Sequence, residues 1–193
     1  YYRATADYMT DRLHAGLDKA TRAEAAFAAL DRTRPNDPVI LYSRAWNGYI
    51  GYGNASGVPG AVVKGSAFVT LASDLLDRLV AMEANDNALK SFAANVQQIQ
   101  SQSLANQRRF PEAIARQRKV LALFAQQLQA EATPTRRNRM AAAEITMGSI
   151  ARLAGDKTLL CDSYRSAAKR IAALREEKAL LGLHCEETRI VVL

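Results

Sequence analysis

Apolar residues recur along this chain at steps of three and four, as in Leu71, Leu75, Leu76, Leu79 and Met82, and again in Ile114, Val120, Leu121, Phe124 and Leu128. That spacing puts an apolar stripe on one face of an α-helix and does not fit the two-residue alternation of a strand. Helix-start signals fall where the stripes begin: Asn85-Asp86, Pro111-Glu112, Thr133-Pro134 and Asp156. Proline is accepted in a first turn because the N–H it lacks would have no partner there. Together these signals predict helices at 3–14, 21–33, 38–50, 65–83, 87–107, 111–131, 135–154 and 156–178. The connections are short, so successive helices should run antiparallel as hairpins.

The pattern also repeats at long range. LDRTRPNDP begins at Leu30, LVAMEANDN at Leu79 and LQAEATPTR at Leu128, a spacing of 49 residues each time. Each segment closes an apolar helix and opens a turn. The stretch ITMGSIARLAGDKTLLCDSYRSAA places Met147-Gly148 and Ala151 in a first helix, Gly155-Asp156 at a turn, and Leu160, Tyr164 and Ala167 in a second. RRFPEAIARQRKVLAL provides Phe110 at the turn, a small Ala113, and Val120-Leu121 at the helix close, with Ser101 at the position equivalent to Gly148; AEAAFAAL before Pro35 is a looser third case.

These segments resemble tetratricopeptide repeats. The pattern departs from that family in its period, which exceeds the usual length of about 34 residues, in Leu160 where alanine is usual, and in Gln117 where an aromatic is usual. The resemblance implies an all-α fold in which antiparallel hairpins stack as a right-handed α-solenoid, because one hairpin alone cannot bury its apolar face. Residues 1–193 then form a single repeat domain with hairpins at about 1–34, 38–83, 87–131 and 135–178 and a tail at 179–193. Small residues at Gly148 and Ala113 let paired helices approach, and Tyr164 fills the space toward the next hairpin.

In that family the first helix of each hairpin lines an inner face used for binding. Carrying the register from Gly148 and Ser101 puts Asn95, Gln98, Gln102 and Asn106 on this face in the middle hairpin, and Ile145, Ser149 and Arg152 in the next. Side-chain amides at helical spacing can bond an extended peptide backbone, and Arg152 with Arg139 could hold a carboxylate or phosphate. Long-period stacks of this kind resemble those fused in bacteria to kinase or winged-helix regulatory domains. The expectation is therefore a scaffold that binds a protein or peptide, as the sensor or adaptor region of a bacterial signalling protein.

Charge sharpens the partner. The net charge is +7, and eight basic residues between Arg108 and Arg139 face only Glu112 and Glu131, a local balance of +6. An acidic segment should be preferred. The same region is the basis of an alternative, nucleic-acid binding, although Phe110 and Phe124 are the only aromatics near it and both fit core positions.

Nothing in the sequence assembles a catalytic constellation, a cofactor site or a metal site. His14 and His184 are the only histidines; Cys161 and Cys185 form no C-x-x-C pair, and Cys161 beside Leu160 and Tyr164 reads as a packing residue. Glu144, Asp162, Glu176 and Glu177 read as scattered surface carboxylates. Six of the ten glycines lie between Gly48 and Gly65, which predicts a long loop inside one hairpin, either a lid or a connector. Gly60-Ala-Val-Val-Lys64-Gly65-Ser66 misses the phosphate-loop order, since its lysine precedes the second glycine. Gly51-Tyr52-Gly53 likewise lacks the third glycine of a dinucleotide fingerprint, Ser56 standing there. No apolar run approaches the roughly 20 residues of a membrane helix, and free cysteines favour a cytoplasmic setting. The start at Tyr1 rather than methionine carries the expectation of a truncated amino end.

Overall fold

The computed structural model describes residues 2–176, with side chains from Asp11 onward. Seven helices follow one another: α1 (Tyr2–Thr33), α2 (Pro38–Ser56), α3 (Val62–Met82), α4 (Asn87–Asn106), α5 (Phe110–Ala130), α6 (Pro134–Ala154) and α7 (Lys157–Glu176). Among the described residues there is no strand. Each helix packs on its neighbours in sequence, and α4 also touches α6. The expected tail at 179–193 lies outside the described residues.

The predicted starts of α2 and of α4 to α7 hold to within one residue, and four of these helices are capped locally. Asp86 Oδ1 accepts from the backbone N–H groups of Ala88 (2.8 Å) and Leu89 (2.9 Å), and Asp37 Oδ1 does the same for Val39 (3.0 Å) and Ile40 (3.3 Å). Thr133 caps α6 ahead of Pro134, and Asp156 Oδ1 accepts from the Leu159 N–H at 2.9 Å. Gly155 ends α6 in the left-handed conformation at φ 78°, which a residue without Cβ adopts without strain.

Two expectations need correction. The amino-terminal hairpin is a single helix: α1 runs without a break through the positions between 3–14 and 21–33. Gly16 stands in the expected gap but stays helical, close to Asn54 of α2, where an added Cβ would meet the side chain at 2.8 Å; no proline interrupts the helix and the alanines beyond it favour helix. The glycine-rich stretch is likewise mostly helical. Gly48, Gly51 and Gly53 lie inside α2 and Gly65 inside α3, leaving only residues 57–61 as the turn. The reason is close packing between α2 and α3. A Cβ on Gly48 would lie 2.9 Å from the Phe68 carbonyl oxygen, one on Gly51 2.8 Å from the Phe68 ring, and one on Gly65 3.0 Å from the Ala55 Cβ. Neither lid nor long connector is present there.

The core runs through the middle helices, with Leu41, Leu76, Leu79, Val96, Val120 and Phe124 buried in one cluster. Buried amides join the layers around it. Gln117, fully buried, accepts from Ser101 Oγ and donates to the Ala143 carbonyl oxygen, both at 2.8 Å, so it bridges α4, α5 and α6. Gln127 donates to Ser91 Oγ (2.9 Å), and Gln97 donates to Asp77. Gln117, at a position where the family resemblance implies an aromatic, is thus a polar bridge between three helices.

In the last hairpin, Gly148 is buried and a Cβ there would meet the Tyr164 ring at 2.9 Å. Replacing Gly148 with leucine should destabilise by about 2 kcal/mol through overpacking; a denaturant melt unchanged from the parent would contradict this packing. The buried stripe of α7 is Ser163, Ala167 and Leu174. Cys161 is two residues before Ser163, on the opposite side of the helix, and is exposed rather than packed. Glu144, expected at the surface, is buried at 6% exposure and accepts from Ser166 Oγ (2.7 Å) and Arg170 Nε (2.8 Å), holding α6 to α7.

Candidate functional site

Asn95, Gln98, Gln102 and Asn106 fall within one side of α4, as their spacing dictates. Asn95, Gln102 and Asn106 are exposed there. Gln98 is half-buried and donates to Thr146 Oγ1 on α6 at 3.2 Å, so it serves the contact between the two helices. On α6, Ser149 is half-buried with its Oγ 3.3 Å from the Tyr164 hydroxyl, while Arg139 and Arg152 are exposed. The two arginines cannot clamp one anion. They stand 13 residues apart on a single helix, roughly 20 Å along its axis and about 140° around it.

The structure adds a feature beside this row. Tyr42, Trp46 and Ile50 of α2 are exposed at 45%, 46% and 43%. Trp46, the chain's single tryptophan, lies 5.3 Å from the Phe92 ring of α4, and Tyr42 and Tyr49 each lie 5.8 Å from it. Phe92 is one turn before Asn95, so the aromatic cluster runs into the amide row. The signal is present in the sequence as Tyr42, Trp46 and Tyr49 at steps of four and three. They stand off the Leu41, Ala45, Gly48 stripe that faces the core, which marks them as a second apolar face.

This face carries little charge. Arg44 is the one charged residue of α2 and Lys90 the one charged residue of α4. Arg44 is turned to α1, where it pairs with Glu24 and Asp31, both at 2.7 Å, and hydrogen bonding to Glu24 raises its already high pKa further.

The basic stretch is mostly answered within the chain. Arg116 pairs with Asp74 (2.6 Å) and Asp77 (2.9 Å) of α3, and Lys119 with Asp77 (2.7 Å). Arg136 pairs with Glu131 at 3.0 Å. Arg109 pairs with Glu112 at 2.6 Å, and its hydrogen bonds hold that carboxyl below the usual range. Arg137 donates to the Ala132 carbonyl oxygen at 3.0 Å. Arg108, Arg118 and Arg139 are exposed, while the other five basic residues of the stretch are engaged within the chain, which weakens the preference for an acidic segment drawn from the local balance of +6.

Among the described residues no cluster of three or more His, Cys, Asp or Glu could hold a metal ion, and no helix is long and apolar enough to cross a membrane.

No family model and no curated protein matches the chain. Among solved structures, the crystal structure of BtubC (BKLC) from P. vanneervenii aligns over 84% of this chain and 92% of that one, at 13% identity and a TM-score of 0.26. The class that the fold itself defines is an all-helical protein of sequentially packed, repeat-like helices.

Proposed function

We propose that this chain is a protein-interaction module, a tetratricopeptide-like right-handed stack that binds an extended segment of a partner along α2, α4 and α6. The observation that carries the reading is the exposed cluster of Tyr42, Trp46 and Ile50, joined through Phe92 to the amides of Asn95 and Gln102. Aromatics of this kind supply apolar area at low entropic cost and dominate binding at interfaces. The amides beside them can bond the backbone of a segment that lacks internal hydrogen bonds. The contact of α4 with α6 past the intervening α5 supports the stack, since first helices of successive hairpins meet in that way. A place as the sensor or adaptor part of a bacterial signalling protein rests on the sequence resemblance, and a cytoplasmic setting on the cysteines that form no C-x-x-C pair. The pairing of Arg116, Lys119 and Arg136 within the chain removes most of the charge argument for an acidic partner, leaving it on Arg139 and Arg152.

Trp46 makes the test direct. A panel of short peptides titrated into the protein should change its tryptophan fluorescence, and Trp46→Ala, which removes the single tryptophan and is therefore compared with the parent by calorimetry, should weaken binding of the best peptide by about 2 kcal/mol, roughly thirty-fold. The melting temperature should stay near the parent's because the side chain is half exposed. Undiminished binding by the variant would place the interaction elsewhere.

A further inference from the structure

Tyr42 belongs to two features at once. Its ring is part of the exposed cluster, and it also walls a hollow of about 360 Å³ where the start of α2, the end of α3 and the start of α4 meet. Pro38, Leu79 and Leu89 provide apolar lining, and Glu83 and Asp86 bring two carboxylates to it. Glu83 is exposed and its carboxylate makes no hydrogen bond or ion pair among the described residues. Asp86 uses Oδ1 to cap α4, and its Oδ2 has no partner among the described residues. Of the cations in the surrounding turns, Arg34 pairs with Asp37 (3.6 Å) and Arg78 with Asn36 (2.7 Å) and Asp31 (3.9 Å), while Lys90, one turn beyond Asp86 on α4, makes no ion pair with either carboxylate.

We propose that this hollow receives a lysine or arginine side chain from the partner segment bound on the aromatic face. The inference rests on the interaction reading above and names the chemistry of its ligand. A long basic side chain is apolar along its stem and cationic at its tip, which matches an apolar lining with two unanswered carboxylates. The exposed Tyr42 ring adds a π face for the cation. An acidic residue would meet like charge at the same place.

The geometry also sets a spacing. Tyr42 and Trp46 are one turn apart on α2, about 6 Å. In an extended peptide, residues two apart point to the same side and are separated by roughly 6.6 Å. The recognised segment is therefore basic-x-apolar, with the basic residue in the hollow and the apolar one against Trp46.

The experiment uses blocked nonapeptides, otherwise of glycine and serine, titrated into the full chain and followed by Trp46 fluorescence. Lysine-x-leucine is compared with norleucine-x-leucine, glutamate-x-leucine and lysine-x-x-leucine. The first should bind about tenfold tighter than its norleucine counterpart, and its advantage should shrink as salt rises. The advantage should vanish in a Glu83→Gln, Asp86→Asn double variant, whose asparagine still caps α4. Equal binding of the lysine and norleucine peptides, or an advantage retained by the double variant, would overturn the basic-residue assignment and leave the interaction face standing. Absence of any fluorescence response to every peptide would overturn both.

Discussion

Replacing Gly48 with valine should lower stability by about 3 kcal/mol or more, placing it among the most damaging single changes in the described fold. The Cβ alone would sit 2.9 Å from the Phe68 carbonyl oxygen and 3.1 Å from the Ala72 Cβ. The carbonyl is part of the α3 backbone and cannot rotate away, so relief requires the two helices to separate. Separation would open the packing around Leu41, Ala45, Val69 and Ala72, all buried in the main core. For a chain of 193 residues a loss of this size corresponds to a fall of roughly 6–12 °C in Tm. Gly53 provides the control. It lies in the same helix, where an added Cβ would meet nothing within 4 Å, and Gly53→Ala should leave stability unchanged or raise it by up to about 1 kcal/mol. Thermal melts by circular dichroism distinguish the two; equal behaviour would mean that α2 and α3 are not packed this closely.

Truncating Gln117 to alanine should cost about 3 kcal/mol, combining a cavity with two lost hydrogen bonds. The residue is fully buried on α5 and spans from Ser101 on α4 to the Ala143 carbonyl on α6. Ser101 retains an alternative acceptor in the Gln98 carbonyl at 2.7 Å, so the hydroxyl is not stranded. Gln117→Met, which keeps the volume and loses the bonds, should cost about half as much. A double-mutant cycle between Gln117→Ala and Ser101→Ala should return a coupling of about 1 kcal/mol. Simple additivity would show that the 2.8 Å bond contributes nothing beyond packing.

The glycine cluster shows why reading the sequence alone misses the length of α2. Glycine lowers helix propensity, and six within eighteen residues argue for a loop when only neighbours in sequence are considered. The compensating term is the approach of α3, whose residues Phe68 and Ala72 lie some twenty positions later. Gln117 is visible as a departure from the repeat pattern, but its partners, Ser101 and Ala143, are 16 and 26 residues away. The basic stretch is overweighted for the same reason. Counting charges along the chain pairs Arg116 with nothing, whereas Asp74 and Asp77 answer it from α3, 42 and 39 residues away.

The sequence by itself determined that this protein is helical and where α2, α4, α6 and α7 begin, because capping side chains and the three-and-four spacing of apolar residues act between positions a few residues apart. Asp86, Thr133 and Asp156 bond N–H groups no more than three residues ahead, so no distant contact can move those boundaries far. Only the tertiary structure decided which side chains stay uncovered. Phe92 covers part of Trp46, Thr146 engages Gln98, and Glu24 with Asp31 removes Arg44. Each of these is a contact between helices; the four-and-three spacing of Tyr42, Trp46 and Tyr49 is legible in the sequence, but how much of Tyr42, Trp46 and Ile50 stays exposed is set by contacts of this kind.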